Sequence, residues 1–273
     1  DISFERVRDE FNKILLADKR YGDYKTQPSA LPAALTTLYE IGAMRIILPE
    51  LVKGKGIKQN PQYHAFDVFE HALHACAFAP PELTLRLAAL LHDVGKPFVL
   101  AINESASRTG TKRRSPMLGH DKLGAEIAEN ILKRLRYPNE LIGDVVRLID
   151  QHMYDLDSRA KESTLRTRFV YWGEKMTERL ANLREADVYG SGIWTGPVKS
   201  SERWRRVLAK MKAEHTPFSQ RELNCDGADI MRWLNIGPSE KVGQVKMRLL
   251  KHCAKFPKDN TISRLERIVK DLK

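Results

Sequence analysis

The chain has 273 residues, of which 42% are hydrophobic and 30% are charged, and its formal net charge is +11. This balance is typical of soluble globular proteins and excludes disordered and fibrous ones. The sequence contains no apolar run of about 18 residues, and its N-terminus lacks the basic-then-apolar layout of a secretory signal. We therefore expect a cytoplasmic protein with no membrane partner.

Apolar residues recur at spacings of three and four along most of the chain. This period is that of amphipathic helices. It is clearest near the N-terminus, at Phe4, Val7, Phe11, Ile14 and then Leu31, Leu35, Leu38 and Ile41. Alternating β-type patterns are scarce, and the short run from Pro97 to Ile102 comes nearest to one. The sequence therefore predicts an all-α protein.

Polar or glycine- and proline-containing breaks interrupt the helical pattern at 53–61, 103–116 and 190–197. They predict a helical N-terminal segment (1–60), a histidine-rich central segment (61–195) and a basic C-terminal segment (196–273). The three cysteines, Cys76, Cys225 and Cys253, lack CxxC spacing, so we expect buried thiols rather than disulfides or a zinc ribbon. The chain begins with Asp1 rather than methionine, which favours a fragment or a processed product.

The central segment mixes imidazole with carboxylate, in the order His71, His92-Asp93, His120, His152 and Asp187. This mixture suits a divalent transition metal (Mn, Ni, Co, Fe or Zn), because nitrogen and oxygen donors together satisfy such ions without thiolate. Magnesium is the remaining alternative, although magnesium cages use oxygen ligands. We expect the other histidines, His64, His74, His215 and His252, to be structural or exposed.

The apolar pattern predicts helices at 67–79, 84–94 and 141–152, which carry most of these candidate ligands. Helices that face one another can direct such side chains into a common core. The neighbours His92 and Asp93 would diverge by about 100° on a regular helix. We therefore expect them at a helix end, just before Gly95 and Pro97.

The run Leu90 to Pro97 (LLHDVGKP), together with the other histidines and Asp187, resembles the HD superfamily of metal-dependent phosphohydrolases. The resemblance implies a multi-helical bundle flanked by helical neck-like and tail-like segments. It also implies that His71, His92, Asp93 and Asp187 hold one metal ion. A second ion would be held by His120 and His152, with Asp93 shared between the two, so that one or two ions bind.

Basic residues near this run are candidates for binding a phosphate. Lys96 could meet a phosphate oxygen, and with Asp93 it is a predicted catalytic residue. Arg113 and Arg114, with Arg108 and Lys112 in the same predicted loop, could close over an anionic substrate. A merely solvated loop is the alternative.

A wider resemblance covers most of the chain. The segments Ile2 to Phe11, Leu48 to Leu51 and Gln59 to His71 are similar to the body of bacterial tRNA nucleotidyltransferases and poly(A) polymerases. Asp226 to Ile230, with Gly237-Pro238, is similar to their RNA-binding tail. The Gly-Gly and Asp-x-Asp head with which that family adds nucleotides is not found in this sequence, since Asp155-Leu156-Asp157 lies in a predicted loop. We therefore expect a C-terminal part, or a headless relative, of such an enzyme.

The positive charge lies mainly in the C-terminal segment, where 18 Lys and Arg face 9 Asp and Glu, a net charge of +9. Such a segment attracts a polyanion, and we predict tRNA or another RNA as its partner. The candidate RNA-binding residues are Arg203, Arg205, Arg206 and Lys210. A solvated helix face is the alternative.

Two functions therefore remain open. The chain is either a phosphohydrolase acting on phosphomonoesters or 2′,3′-cyclic phosphodiesters of nucleotides or RNA ends, or an RNA-binding body with a vestigial metal site. A purely structural helical module would leave the candidate ligands unexplained. No oligomeric state is predicted.

Overall fold

Helices make up the regular secondary structure of residues 3–21, 29–108 and 117–271, the part of the chain that the computed structural model describes. No strand occurs in these ranges, and the prediction of an all-α fold is confirmed. The α-helices are, in chain order, α1 (Phe4–Leu15), α2 (Ala17–Tyr21), α3 (Leu31–Glu40), α4 (Ala43–Ile47), α5 (Pro49–Val52), α6 (Val68–Phe78), α7 (Leu83–Leu91), α8 (Lys96–Arg108), α9 (His120–Arg134), α10 (Asn139–Gln151), α11 (Glu162–Trp172), α12 (Glu174–Gly190), α13 (Lys199–Ala213), α14 (Gly227–Leu234), α15 (Glu240–Lys255) and α16 (Ile262–Lys270).

The chain divides into two compact units. The first comprises Asp1–Tyr154 and Arg179–Val198, and the second comprises Asp155–Glu178 and Lys199–Lys273. This division differs from the three predicted segments, because residues 1–60 cluster with the histidine-rich segment and 155–178 cluster with the basic one. The reason lies in contacts distant in sequence: α3 packs on α6, and Arg134 on α9 forms a two-pronged ion pair with Glu50. The three segments stay a prediction.

Helix α7 lies at the centre of the first unit. Every residue from Thr84 to Leu91 is buried, as expected for a helix that is apolar on nearly all sides. Its one charged residue, Arg86, is paired with Asp18 at 2.8 Å between Nη2 and Oδ2. Helices α6 and α10 pack on α7, and α9 packs on α10. The helices that carry the candidate ligands are therefore neighbours.

Local signals fix where α6 begins. The Asp67 carboxylate caps the helix by accepting from the backbone N–H of Glu70 at 2.8 Å. Its other oxygen accepts from the N–H of Gly56 at 2.8 Å, which fastens the preceding connector to the helix. The helix predicted at 67–79 is observed as α6, and its first turn carries His71.

Helix α8 differs from its prediction. Residues 97–102, the nearest approach to a β pattern, are helical, and so are residues 103–108 of the predicted loop. Pro97 is the second residue of this helix, where its missing N–H costs nothing because the first turn has no intrahelical partner. Val99 is buried, so the helix is also held by packing.

The second unit is built around aromatic packing. The rings of Phe169, Trp172 and Trp204 have centroids 5.5 to 6.0 Å apart and join α11 to α13. The three cysteines of the chain are buried and form no disulfide, as predicted. Over the described ranges, every helix is too short or too polar to cross a membrane.

Candidate metal centre

The structure brings the six predicted metal ligands together in the first unit. His71 lies in the first turn of α6, His120 begins α9, and Asp187 lies on α12. His92 and His152 are the residues at which α7 and α10 end, and Asp93 lies in the turn that follows His92. His92 and Asp93 thus occupy the expected helix end. All six ligands are buried except Asp187, which is partly exposed.

His71, His92 and Asp187 form the first of two groups of predicted ligands. The Nε2 atoms of the two histidines are 3.1 Å apart. Asp187 Oδ1 lies 3.2 Å from His71 Nε2 and 3.5 Å from His92 Nε2. The three donor atoms lie within 4.8 Å of one another and could hold a metal ion.

Asp93, His120 and His152 form a second group with the same spread of donor atoms. Asp93 Oδ1 lies 3.2 Å from His120 Nε2, and the Nε2 atoms of His120 and His152 are 3.2 Å apart. The other carboxylate oxygen of Asp93 faces the first group, at 3.5 Å from His71 Nε2 and 3.3 Å from His92 Nε2. Asp93 therefore lies between the two groups, with one oxygen toward each.

The histidine tautomers favour a cation at this position. The Nδ1 atoms of His92, His120 and His152 each lie 2.6 to 2.8 Å from the backbone carbonyl three residues earlier. A carbonyl only accepts, so each Nδ1 carries a hydrogen, and each Nε2 presents a lone pair in the neutral imidazole, which is the form that binds a metal. The lone pairs of His120 and His152 cannot hydrogen-bond to each other across 3.2 Å. A metal ion satisfies both, so these residues fit the group that the sequence implies.

The charges of the centre also favour a cation. Burial raises the pKa of the Asp93 carboxyl, but His92 and Lys96 outweigh it and hold this pKa well below its ordinary range. Burial is likewise outweighed at Asp187, whose pKa is lowered by His71 and His92. Burial lowers the pKa of His92, but the two carboxylates raise it to about 10. The centre thus holds two ionised carboxylates that attract positive charge.

Two glycines allow the close backbone approaches that assemble the centre. A Cβ atom on Gly95 would overlap the carbonyl oxygen of His120, and a Cβ atom on Gly190 would lie 2.5 Å from the backbone nitrogen of Ala75. The first approach presses the turn after Asp93 against the start of α9. The second presses the end of α12 against α6. Larger residues would separate the ligands.

Arg184, which the sequence did not single out, holds α12 and α10 together beside the ligands. Its Nη2 donates to the carbonyl oxygens of His152 at 2.6 Å and Tyr154 at 3.1 Å. Arg179, which precedes Arg184 on α12, donates to the Asp144 carboxylate at 2.5 Å and also to Glu82. The available sequence signal was the position of these two arginines, about one and two helical turns before Asp187.

Lys96, the predicted phosphate-binding residue, contacts the centre directly. Its Nζ lies 2.6 Å from Asp93 Oδ2 and donates to Gln59 Oε1 at 2.7 Å. His64, which we expected to be structural or exposed, lies with its ring edge-on to that of His71, with centroids 4.9 Å apart. Burial, together with repulsion from His71 and Lys96, lowers the pKa of His64 to about 4. Neither Gln59 nor His64 shares the helical period that marked the other candidates.

The structure leaves the other predicted phosphate-binding residues untested. Arg113, Arg114 and Lys112 lie outside the described residues. Arg108 is the last residue of α8 and not part of a loop.

The predicted RNA-binding residues lie on α13, in the second unit. Arg203 donates to the carbonyl oxygen of Ser158 at 2.8 Å and to that of Ala160. Lys210 pairs with Glu162 at 2.8 Å, and Arg205 lies 3.9 Å from Glu178. Arg206 is exposed. The candidate patch is therefore partly neutralised by neighbouring acids.

The Asp155-Leu156-Asp157 triplet lies in a turn, as predicted. Asp155 accepts from the Trp204 indole N–H at 3.1 Å and from the backbone N–H of Ala160 at 2.8 Å. These bonds, within the second unit, give Asp155 a structural role.

The histidine and aspartate geometry agrees with the family comparisons. Residues 62–190 match the model of the HD domain family. The similarity to tRNA nucleotidyltransferases is wider and covers about nine-tenths of the chain, including this segment. Both predicted resemblances are thereby confirmed.

Two relatives illustrate this homology. The A-adding tRNA nucleotidyltransferase of Deinococcus radiodurans is 35% identical over 256 residues, which are 89% of this chain and 52% of the relative. The CC-adding tRNA nucleotidyltransferase of Thermus thermophilus is 29% identical over 252 residues, which are 90% of this chain and 52% of the relative. The chain thus spans about half the length of these curated relatives.

Proposed function

We propose that the chain is a divalent-metal-dependent phosphohydrolase that cleaves phosphomonoesters or 2′,3′-cyclic phosphodiesters of nucleotides or RNA ends. The observation that carries the proposal is the arrangement of six ligands in two adjacent groups with Asp93 between them. The Nε2 atoms of His120 and His152, 3.2 Å apart, support a bound cation, because two neutral imidazoles in this arrangement direct their lone pairs toward each other.

The proposed ligands divide between two metal ions. His71, His92 and Asp187 would hold one ion, His120 and His152 a second, and Asp93 would contribute an oxygen to each. Bound ions would neutralise charge on the phosphate and supply a nucleophile from water. Nitrogen and oxygen ligands of this kind accept Mn, Ni, Co, Fe or Zn, with Mg as the remaining alternative.

Lys96 supplies the contact to the substrate. An ammonium group has three N–H donors, and Asp93 and Gln59 take two of them. The remaining donor would bind a phosphate oxygen through a charge-assisted hydrogen bond. The same ammonium group fixes the orientation of the Asp93 carboxylate, so Lys96 links phosphate binding to the ligand shared by both groups.

The names of the relatives support RNA as the substrate of this proposed activity. Both are named for adding nucleotides to tRNA, so an enzyme that processes tRNA ends in the cytoplasm is the proposed context. Hydrolysis at an RNA end and binding of tRNA by the basic segment would then act on the same molecule.

Metal depletion and restoration test the proposal. The purified chain is treated with EDTA, supplied with Mn²⁺, Co²⁺ or Ni²⁺, and assayed on a 2′,3′-cyclic nucleotide and an aryl phosphate. We expect turnover that requires metal, is abolished in Asp93→Asn and is retained in His74→Ala. His74 is a matched control, because it is half-buried on α6 and stacks on Phe66. Turnover that ignores metal, or that persists in Asp93→Asn, would contradict the proposal.

The second candidate function is an RNA-binding body with a vestigial metal site, favoured by the net charge of +9 on residues 196–273. It predicts tRNA binding that weakens steeply with salt, because phosphate contacts release counterions. It also predicts no hydrolysis with any metal. Binding that is weak and insensitive to salt would reject this candidate.

A further inference from the structure

His71 differs from the other three predicted histidine ligands at Nδ1, the ring nitrogen that points away from the metal site. His92, His120 and His152 each donate from Nδ1 to the carbonyl three residues earlier. The Nδ1 atom of His71 is buried and has no hydrogen-bond partner within the described part of the chain. A buried donor without a partner is unfavourable, because it has lost its hydrogen bond to water. His71 therefore lacks the contact that fixes the other three rings.

The ring of His64 lies next to the ring of His71. The centroids of His64 and His71 are 4.9 Å apart, and the two planes are nearly perpendicular at 80°. The Nδ1 atom of His64 is also buried and unpaired among the described residues. Two neighbouring rings thus each carry one buried nitrogen that needs a partner.

Donor and acceptor roles make these two atoms complementary. His71 Nε2 faces Asp187 Oδ1 and His92 Nε2, so metal binding needs its lone pair there and leaves the hydrogen on Nδ1. That hydrogen requires an acceptor. Gln59 Nε2 is a third buried, unpaired nitrogen, but an amide nitrogen only donates. Of these atoms, His64 Nδ1 is the one able to accept.

We propose that His64 is a positioning residue of the metal centre, whose Nδ1 accepts the Nδ1–H of His71 once a small rotation of the two rings brings these atoms together. The bond holds the His71 lone pair toward the metal. This inference rests on the proposed metal centre and adds an outer residue to it. Outer partners of metal-binding histidines change metal affinity about 10- to 100-fold when they are removed.

Four variants test the proposal through Co²⁺ affinity, measured by competition with a chromophoric chelator. An Asn side chain places its amide oxygen near the position of a histidine Nδ1, whereas a Gln side chain reaches the position of Nε2. We expect His64→Ala and His64→Gln to weaken Co²⁺ binding about 10- to 100-fold. His64→Asn should recover most of the affinity, and the control His74→Ala should bind like the wild type.

The outcomes separate this inference from the proposed function. A wild-type chain that binds no Co²⁺ overturns the metal centre and the role of His64 with it. Wild-type binding that is unchanged in His64→Ala overturns the role of His64 alone. Equal losses in His64→Asn and His64→Gln overturn the acceptor role, because a packing role would not distinguish these two variants. Recovery in His64→Asn alone supports it.

Discussion

Gly95 lies so close to His120 that a Cβ atom on Gly95 would overlap the His120 carbonyl oxygen and lie 2.7 Å from the Gly124 backbone nitrogen. Gly124 approaches from the other side, since its own Cβ would lie 3.3 Å from Gly95 N. Because the turn that contains Gly95 packs directly on the start of α9, Asp93 Oδ1 can lie 3.2 Å from His120 Nε2. The glycine of the LLHDVGKP run thus acts through packing.

Gly95→Ala is expected to separate Asp93 from His120. Overpacking of this kind costs about 1 to 3 kcal/mol, so thermal unfolding should occur at a lower temperature and Co²⁺ affinity should fall. The control is Gly143→Ala on α10, where a Cβ atom meets nothing within 4 Å. That variant should be as stable as the wild type or slightly more stable, because alanine favours helices. Equal stability of the two variants would contradict the packing role of Gly95.

Lys96→Met is expected to weaken substrate binding more than metal binding. A hydrogen bond to a charged group contributes about 1.5 to 3 kcal/mol, so KM for an aryl phosphate should rise by about 10- to 100-fold. Co²⁺ affinity should change much less, because the lost orientation of Asp93 is offset by the removal of a positive charge 2.6 Å from that ligand. Lys53→Met is the control, since its ammonium group lies over the Phe98 ring, 4.5 Å from the centroid. An unchanged KM would rule out the phosphate contact.

Arg203 and Arg206 on α13 are expected to have different roles despite their proximity. Arg206→Ala should weaken tRNA binding and reduce the slope of log affinity against log salt by about one, because it removes one exposed phosphate contact. Arg203→Ala should instead lower the stability of the second unit, because it removes bonds to the Ser158 and Ala160 carbonyls. Filter binding at several salt concentrations and thermal unfolding distinguish them. The interpretation fails if Arg206→Ala leaves the salt slope unchanged.

The Glu50–Arg134 ion pair is expected to make stability depend on pH. Burial opposes ionisation of Glu50, but its bonds to Arg134 outweigh this effect and lower the pKa below the ordinary 4.5. The ionised pair therefore stabilises the fold above that pH, and its contribution is lost as pH falls through the lowered pKa. Glu50→Gln should cost about 1 kcal/mol at pH 7, with the difference from wild type vanishing in more acidic solution. Urea unfolding at several pH values measures it.

Much of the site followed from the sequence because its signals are local. Helical periodicity predicted α6 and α10 within a few residues, and the run around His92 and Asp93 marked a helix end. The same run, with the other candidate ligands, was enough to predict the HD resemblance, and separate segments toward both ends of the chain predicted the other resemblance. The helical pattern failed at α8, where a short apolar run suited either a strand or a helix and only packing decided between them.

By itself, the sequence determined the helical class, the residue types that can bind a metal and the excess of positive charge toward the C-terminus. The tertiary structure alone decided that Gly95 packs against His120, that Arg184 holds the end of α10, and that His64 faces His71. It also decided that Arg203 and Lys210 are engaged by neighbouring groups. These relationships join residues far apart in the chain, and no local period or propensity records such contacts, because they arise only when the helices pack.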